Sequence, residues 1–285
     1  MPRLAYVNGS YVPHIRAAVH VEDRGYQFGD GVYEVICVRD GRQVEADRHW
    51  QRLDHSLGAL SIDWPMSRRA LEFIVAQLIR MNGLRHGFVY LQITRGVAPR
   101  DHAVPDPAPH PSLVLTTKRT KPFDPMQAER GVAVRLVPDQ RWTRRDIKSI
   151  GLLPNVLAKQ EAMAEGAFDA WMVDGEGNIT EGTASNAWIV TGEGVLITRQ
   201  ATHSILNGIT RLGVLDVARA LGIGFEERAF SVAEARLAKE AFLTSSTNWL
   251  RPVIRIDDKA VADGQPGPLT QKLLERYMEV FGVDG

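Results

Sequence analysis

Apolar and polar residues alternate in short runs near the start of the chain. The runs AYVNGSYV, VYEVICV and RQVEA have a period of two and are separated by glycines, which is typical of strands joined by turns. A helical pattern follows, because Trp50, Leu53, Leu57 and Leu60 recur at the spacing of one helix face. A second apolar stripe of the same period begins after Ser67, a favourable N-cap. This part of the chain therefore predicts strands and two amphipathic helices.

The pattern becomes richer in strands further along. Two strand-like runs, GFVYLQITRG and SLVLTT, flank the loop VAPRDHAVPDPAPHP, whose prolines oppose both helix and ladder. After KRTKPFDP come several strand patterns, including the hairpin DAWMVDGEGNITEG, and helices at about 155–165, 210–221 and 269–281. We predict an α+β protein with a small N-terminal α/β domain at 1–117, a linker at 118–127 and a larger β-rich domain at 128–285.

Composition narrows the classes of function. The 34 basic and 34 acidic residues cancel, which argues against a broad surface for nucleic acid or anionic lipid but allows a small anionic ligand. The single cysteine, Cys37, excludes an intrachain disulfide, and no run approaches the ~18 apolar residues of a membrane span, so we predict a cytoplasmic protein. The histidines form no H-x-x-x-H or H-E-x-x-H pattern, so no metal site is predicted.

Two lysines in RRDIKSIGLLPNVLAKQEA are candidates for covalent chemistry. Lys159 falls inside a predicted helix among acidic residues, and we interpret it as a solvated charge. Lys148 precedes the apolar run IGLLPNVL, where an amine against buried surface loses solvation and becomes a better nucleophile. Because Arg144 and Arg145 also fit a basic surface strand, the local pattern leaves both interpretations of Lys148 open.

Other candidates are equally undecided by local pattern. Glu181 is either a turn acid beside Gly182 or a carboxylate that holds a proton on a ring nitrogen. Ile209 and Thr210 begin a predicted helix, where backbone N–H groups suit phosphate, although most helix N-termini bind nothing. The hydroxyl cluster of FLTSSTNW, which contains Ser245 and Ser246, is a turn or a second phosphate clamp.

Two arginines have a surface interpretation by default. Arg52 lies off the apolar stripe of the first helix, where a solvated side chain is expected. Arg100 lies with His102 in the proline-rich loop, which is solvated by default. An arginine can nevertheless grip a carboxylate in two places, and a neighbouring histidine can support it.

Seven segments, taken in order, resemble one family. They are EDRGYQFGDGVYEV, HWQRL, TRGVAPRDH, DIKSIGLLPNVLAKQEA, TEGTASN, LNGITR and LTSST. Together they resemble the D-amino acid aminotransferases, which share fold type IV of the pyridoxal-phosphate enzymes with branched-chain aminotransferases and aminodeoxychorismate lyase. The resemblance runs from about Tyr6 to Asp263. It implies the two-domain fold type IV architecture, with a C-terminal pseudobarrel.

The resemblance also implies a site. The Schiff-base lysine for pyridoxal 5'-phosphate falls on Lys148, and Glu181 faces the pyridine nitrogen. The residues implied for the phosphate and its surroundings are Arg52, Ile209, Thr210, Ser245, Ser246 and Leu206. The residues implied for the substrate are Tyr33, Arg100 and His102 on its carboxylate, with Val35 and Leu206 at its border. Ser246 stands where threonine is usual, and the hydroxyl is retained.

The implied activity is ping-pong transamination through Lys148 between a D-amino acid, D-alanine or D-glutamate, and a 2-oxo acid, pyruvate or 2-oxoglutarate. The implied assembly is a homodimer in which the loop with Arg100 serves the neighbouring site. An (R)-amine or branched-chain L-amino acid aminotransferase, an aminodeoxychorismate lyase and a non-enzymatic cofactor- or metabolite-binding protein stay open. Asn248 and Trp249 depart from the family pattern, and the indole either narrows the side-chain pocket or faces elsewhere.

Overall fold

The computed structural model describes residues 3–122, 124 and 130–281, which cluster into two compact units. Unit 1 runs to Pro122 and also contains the segment Ile147–Gly151. Unit 2 contains the remainder, up to Asp146 and from Leu152 onward. The chain therefore leaves unit 2 for five residues, and Lys148 is one of them. The linker predicted at 118–127 lies partly outside the described residues, and its first two residues belong to a strand.

Unit 1 is an antiparallel sheet with helices. Its strands are β1 (Leu4–Val7), β2 (Ser10–Pro13), β3 (Gly31–Arg39), β4 (Arg42–Gln43), β5 (Gly87–Thr94) and β6 (Ser112–Arg119). They are ordered β2-β1-β6-β5-β3-β4, and every neighbouring pair is antiparallel. The helices are α1 (Arg24–Phe28), α2 (Ala46–Ala59) and α3 (Arg68–Met81), with a 3₁₀ turn at His14–Arg16. The first unit thus joins local hairpins to two long helices.

The apolar pattern explains how unit 1 packs. Trp50, Leu53 and Leu57 of α2 are buried in one core with the inward residues of β3. The hydroxyl of Ser67 accepts a hydrogen bond from the Ala70 amide, so the predicted N-cap of α3 is confirmed. The short helix α1 was not predicted, because it has only five residues and such a length carries no apolar period.

Unit 2 is built on a nine-stranded sheet. Its strands are β7 (Val132–Pro138), β8 (Asp169–Val173), β9 (Ile179–Gly182), β10 (Asn186–Val190), β11 (Leu196–Thr198), β12 (Phe225–Glu227), β13 (Glu240–Ser245), β14 (Trp249–Ile256) and β15 (Lys259–Ala260). The order is β12-β11-β10-β13-β14-β7-β8-β9, and β15 pairs with β14. The helices are α4 (Leu153–Ala164), α5 (Ile209–Ala220), α6 (Val232–Leu237) and α7 (Pro268–Phe281). Three of them agree with the predicted helices to within two residues at each end.

The sheet of unit 2 curls back on itself. Strands β9 and β10 stand far apart in the ladder order, yet the Gly182 amide donates to the Ser185 carbonyl across the turn that joins them, at 2.7 Å. The Ile179 amide likewise donates to the Phe230 carbonyl at 3.0 Å. Ile179 and Phe230 lie in one buried cluster with Trp171. A sheet that returns to its own start in this way has the predicted pseudobarrel form.

The tryptophan that departs from the family pattern is part of this unit's core. Trp249 begins β14 with a φ of +56°, and its indole is buried. The ring packs edge-on against Tyr277 of α7, with 5.6 Å between centroids. The indole is therefore a packing contact of α7. Among the described residues, no helix is long and apolar enough to cross a membrane.

Candidate functional site

The segment that carries Lys148 runs along β3 in unit 1. The Tyr33 amide donates to the Lys148 carbonyl at 3.0 Å, and the Ile150 amide donates to the Gly31 carbonyl at 3.1 Å. A Cβ atom at Gly31 would lie 2.7 Å from the Ile93 carbonyl and 3.1 Å from the Ile150 side chain. Glycine at this position therefore lets the segment approach the strand.

The Lys148 amine lies over an aromatic ring. Its Nζ is 4.3 Å from the centroid of Tyr33, and the Tyr33 ring stacks on Tyr90 at 5.6 Å. Burial raises the pKa of Tyr90 to about 12, so its hydroxyl stays neutral and donates to Gln92 at 2.6 Å. The Lys148 backbone amide donates to the Ser56 hydroxyl of α2 at 3.2 Å. Strand, segment and helix thus fix the position of this lysine.

The second candidate lysine, Lys159, has a structural role. Lys159 of α4 donates its amine to the Phe168 carbonyl and lies 3.7 Å from the Asp169 carboxylate. Lys159 lies on a helix, as predicted, and its side chain is 36% exposed, but its amine also ties the helix to the start of β8. The sequence predicted a helix that ends at about 165 and a strand that begins at Asp169, but not that this return of the chain brings the two acceptors to the lysine.

Arg52 is also not solvated. Its side chain is 9% exposed, and it donates Nε and Nη2 to the two oxygens of Glu34, at 2.8 and 2.7 Å. His49, one turn earlier on α2, donates Nδ1 to the same carboxylate at 2.7 Å. The default interpretation of Arg52 as a surface residue was wrong, because the inward phase of β3 carries a carboxylate that the arginine pairs with.

Opposing effects set the charges of this cluster. Burial would raise the pKa of Glu34, but the charge and hydrogen bonds of Arg52, together with the hydrogen bond from His49, outweigh it and hold that pKa well below its usual range. Burial lowers the pKa of His49 even though Glu34 opposes the shift, so the imidazole is neutral at pH 7. The cluster is therefore one fixed ion pair with a neutral donor beside it.

The predicted substrate-binding residues of unit 1 lie on β3 and on the loop between β5 and β6. Val35 is half-buried on the same face of β3 as Tyr33. Arg100 and His102 are exposed on the irregular loop between β5 and β6. There the Arg100 guanidinium lies 5.0 Å from the Phe28 ring centroid, and the His102 ring lies 5.5 Å from it. The loop side chains are thus gathered around α1.

In unit 2 the candidate carboxylate of Glu181 is buried. It lies within β9, and it accepts hydrogen bonds from Arg141 Nη1, from Asn186 Nδ2 at 3.0 Å and from the Leu206 amide at 3.2 Å to each oxygen. Asn186 also donates to the Leu206 carbonyl at 2.9 Å. Of the two interpretations that the local sequence left open for Glu181, the turn acid is wrong, because the strand continues through this residue.

The positive charge of Arg141 is shared between Glu181 and Asp139. Arg141 also donates Nε and Nη2 to the two oxygens of Asp139, at 2.9 and 2.8 Å. Burial raises the pKa of Glu181, and the attraction and hydrogen bond of Arg141 do not fully offset that shift. The pKa of Asp139 is lowered despite its burial, by Arg141 first and then by Thr180 and Arg145. Glu181 is therefore the more basic of the two carboxylates.

The phosphate candidates of unit 2 lie at two turns. Ile209 and Thr210 are buried in the first turn of α5, whose N-cap, Gly208, provides no side-chain bond to the helix amides. A side chain at position 208 would overlap the Asn186 amide. Ser245 ends β13, and its hydroxyl accepts from the Asn248 amide at 3.1 Å. Ser246 follows in the same turn.

Sequence reasoning missed Glu34, His49, Asp139, Arg141 and Asn186. A signal for Glu34 existed, since a charged residue at the inward phase of VYEVICV needs a buried partner. No local signal connects Arg141 to Glu181, which lie 40 positions apart. Within the residues that the structure describes, no three side chains of His, Cys, Asp or Glu are grouped so that they could hold a metal ion.

Comparison with known proteins shows which family the chain resembles. The model of the family described as amino-transferase class IV matches residues 31–256. A D-alanine aminotransferase of Listeria monocytogenes serotype 4b is 41% identical over 96% of this chain and 94% of its own length. A D-alanine aminotransferase of Staphylococcus aureus strain MSSA476 is 39% identical over 98% of this chain and 99% of its own.

A solved structure extends the comparison to the fold. The branched-chain amino acid aminotransferase of Escherichia coli superposes with a TM-score of 0.90, at 25% identity, over 100% of this chain and 97% of its own. The predicted family resemblance and the predicted fold type IV architecture are therefore confirmed.

Proposed function

The chain belongs to the amino-transferase class IV family and is an aminotransferase, and we propose that it exchanges the amino group of a D-amino acid with a 2-oxo acid. The proposed pairs are D-alanine or D-glutamate with 2-oxoglutarate or pyruvate. The observation that carries this choice is the 41% identity to a D-alanine aminotransferase over nearly the whole of both chains, against 25% to a branched-chain enzyme.

Aminotransferases of this class use pyridoxal 5'-phosphate, and the donor set described above fits that cofactor. The partly buried Lys148 offers an amine for the aldehyde, and the buried Glu181 offers a carboxylate for the ring nitrogen. For the phosphate we propose Arg52, the first amides of α5 at Ile209 and Thr210, and the turn with Ser245 and Ser246, with Leu206 holding Glu181 in place.

Each residue then has a defined task. When bound, the cofactor supplies an aldehyde carbon that takes up the amino group and a ring that accepts the electron pair left at Cα. Lys148 anchors the cofactor and, once released, takes the proton from Cα and returns it on the way to the oxo acid. Glu181 keeps a proton on the ring nitrogen, and its raised pKa suits a carboxylate that shares one.

Substrate orientation falls to a second group of residues. We propose that Tyr33, Arg100 and His102 bind the α-carboxylate and that Val35 and Leu206 border the side chain. A guanidinium binds a carboxylate through two parallel hydrogen bonds, which fixes the direction of the Cα–H bond relative to Lys148. The same site then accepts the second oxo acid, so the kinetics are of the ping-pong type.

An absorbance spectrum tests the proposed reaction and its handedness. We expect the visible band of the cofactor-loaded protein to bleach with D-alanine and to persist with L-alanine. Bleaching by L-leucine or by a chiral (R)-amine alone would transfer the assignment to those substrates. Pyruvate release from aminodeoxychorismate without an acceptor would assign a lyase. A band that responds to none of these would leave a cofactor- or metabolite-binding protein.

The two lysines provide a matched pair of variants. Borohydride reduction of the loaded protein should fix the cofactor on the peptide that contains Lys148. Lys148→Ala should abolish the fixation and the turnover, whereas Lys159→Ala should retain both and lower only the melting temperature, since its amine ties α4 to β8. Fixation on any other lysine would contradict the assignment.

We propose, further, a homodimer in which the loop of one protomer completes the site of the other. Arg100 and His102 are exposed, and so are the apolar side chains of Ile15, Val21 and Tyr26 near α1. If Lys148→Ala and Arg100→Ala proteins are unfolded together and refolded, each mixed dimer should regain one intact site, giving about a quarter of the wild-type activity. No regain would assign the loop to its own protomer. The cytoplasmic location stays a prediction.

A further inference from the structure

We propose that Arg24, which has no part in the chemistry above, is the positioning residue for the loop that carries Arg100 and His102, and that Phe28 supports it. This inference rests on the proposed function, because the effect on substrate binding requires that these two loop residues grip the carboxylate. It assigns a task to the short helix α1, which the sequence did not predict.

One guanidinium holds three consecutive carbonyls of the loop. Arg24 Nη1 donates to the carbonyls of Asp101 and Ala103 at 2.7 and 3.2 Å, and Nη2 donates to that of His102 at 3.4 Å. The side chain is only 4% exposed, although it carries a full positive charge. A buried guanidinium with both terminal nitrogens committed to one backbone stretch restricts the path of that stretch.

The next turn of α1 supplies an aromatic surface. Three groups surround the Phe28 ring: the guanidinium of Arg24 at 4.9 Å, that of Arg100 at 5.0 Å and the ring of His102 at 5.5 Å. Cations lie favourably over such a ring, so Phe28 restricts the direction of the two side chains while Arg24 fixes the backbone beneath them.

Helix α1 is itself well anchored. The Asp23 carboxylate accepts from the Gly25 amide at 2.9 Å and from the Thr94 hydroxyl of β5 at 2.9 Å. The Arg24 amide donates to the Gly96 carbonyl at 2.9 Å. The loop is irregular and rich in proline, with exposed side chains, so these contacts from α1 to its backbone restrict its conformations. Restricting a binding loop before the ligand arrives lowers the entropy lost on binding.

The chain contains a matched control for Arg24. Asp30 pairs with both Arg24 and Arg95, each through a bond of 2.8 Å from Nε. Arg95 is similarly buried, at 7% exposed, but donates to the carbonyls of Leu60 and Ser61 after α2 instead of the loop. The two arginines thus share an acid and a degree of burial and differ in the backbone that they hold.

The test compares Arg24→Lys with Arg95→Lys in the cofactor-loaded enzyme. Lysine keeps the charge beside Asp30 but lacks the fork that reaches three carbonyls. For Arg24→Lys we expect the KM values of D-alanine and pyruvate to rise about tenfold with kcat changed less than about threefold, because ground-state binding of the carboxylate is weakened. Amide exchange over residues 97–104 should accelerate. Arg95→Lys should lower the melting temperature and leave both the KM values and the amide exchange of residues 97–104 as in the wild type.

Equal KM values and equal loop exchange in the two variants would overturn the proposal. If Arg24→Lys does not fold, Phe28→Leu replaces it, with a KM rise and faster loop exchange expected and wild-type values for both contradicting the proposal. Failure of the wild-type protein to transaminate D-alanine would overturn the proposed function instead. The exchange measurement needs no substrate and would still decide whether Arg24 holds the loop.

Discussion

Each of the two units buries a glutamate against an arginine, and the two carboxylates differ in charge behaviour. Glu34 in unit 1 and Glu181 in unit 2 are 0% and 4% exposed. The pKa of Glu34 is held well below its usual range, whereas the pKa of Glu181 is raised. Burial pushes both values upward, so the difference comes from what surrounds the two carboxylates.

The difference in pKa follows from how many hydrogen bonds each carboxylate accepts and from whether it shares its arginine with a second acid. Arg52 gives two hydrogen bonds to Glu34, and His49 adds a third. Arg141 divides its guanidinium between Glu181 and Asp139, and the charge of Asp139 itself raises the pKa of Glu181. An arginine beside a buried acid therefore does not by itself ensure a strongly acidic group.

The comparison separates an anchor from a functional group. A carboxylate with a very low pKa, such as Glu34, is a permanent anion that orients Arg52. A carboxylate with a raised pKa, such as Glu181, accepts a proton or shares one with a ring nitrogen more readily. Substitution of each glutamate by its isosteric amide should therefore affect different quantities.

The largest expected effect is that of Glu181→Gln on turnover. The amide keeps the shape but cannot hold a proton on the ring nitrogen, so kcat with D-alanine should fall by about 10²–10³-fold, a typical cost of losing one preorganised charge in a site. The melting temperature should change less than in Glu34→Gln, because Arg141 keeps both of its bonds to Asp139. Steady-state kinetics with saturating cofactor measure this.

Glu240→Gln is the matched control for that substitution. Glu240 is also buried in unit 2, but its carboxylate accepts from the Leu269 and Thr270 amides at the start of α7. Its amide variant should lose stability and keep kcat within about twofold, because cap bonds contribute to folding and not to turnover. If both variants lost activity equally, a special role for Glu181 would be excluded.

The second effect is that of Glu34→Gln on folding. Removal of the anion breaks one side of the buried ion pair between Glu34 and Arg52, which typically costs about 3 kcal/mol. Urea unfolding should show that loss in the free energy of unfolding, and the affinity for the cofactor should fall with it. The exposed pair of Glu72 with Arg68 provides the control, since Glu72→Gln should cost under about 1 kcal/mol. Equal losses in the two variants would show that the buried pair of Glu34 and Arg52 stabilises the fold no more than an exposed ion pair does.

The sequence predicted most of the helices and strands but few of the pairs that the charged residues form. Apolar periods located α2, α3 and the hairpin of β8 and β9, because each period is imposed by a core that lies on one side of the element. The candidate residues Lys148, Glu181 and Thr210 came from family resemblance, since the local pattern of each also fits a surface. The helix α1 is too short to have a period.

The partners of the charged residues could not be predicted for a physical reason. Glu34 meets Arg52 across 18 positions, and Arg141 meets Glu181 across 40, so each pair exists only after strands and helices have packed. A buried ionised group requires a partner of this kind, but a sequence pattern that predicts burial does not show which residue is the partner. The default interpretation of Arg52 as a solvated residue failed for this reason.

The smallest expected effect is a pH dependence of the free energy of unfolding. Its sign distinguishes the two glutamates most directly. The ordinary pKa of both groups is 4.5, close to that of the unfolded chain. The pKa of Glu34 is lowered on folding, so its stabilising contribution is present above the unfolded pKa and is lost as the pH falls toward the folded pKa. The pKa of Glu181 is raised, so its contribution is present below the unfolded pKa and is lost as the pH rises through the folded value.

The free energy of unfolding of the wild type, minus that of each amide variant, should therefore change with pH in opposite directions. With Glu34→Gln the difference should shrink below about pH 4.5, by at most about 1.4 kcal/mol per pH unit. With Glu181→Gln it should grow as the pH falls toward about 4.5 from above. Urea titrations between about pH 3.5 and 7 measure both slopes. Parallel slopes would mean that the shared arginine protects Glu181 as fully as Arg52 protects Glu34, and the proton-sharing role of Glu181 would lose its electrostatic basis.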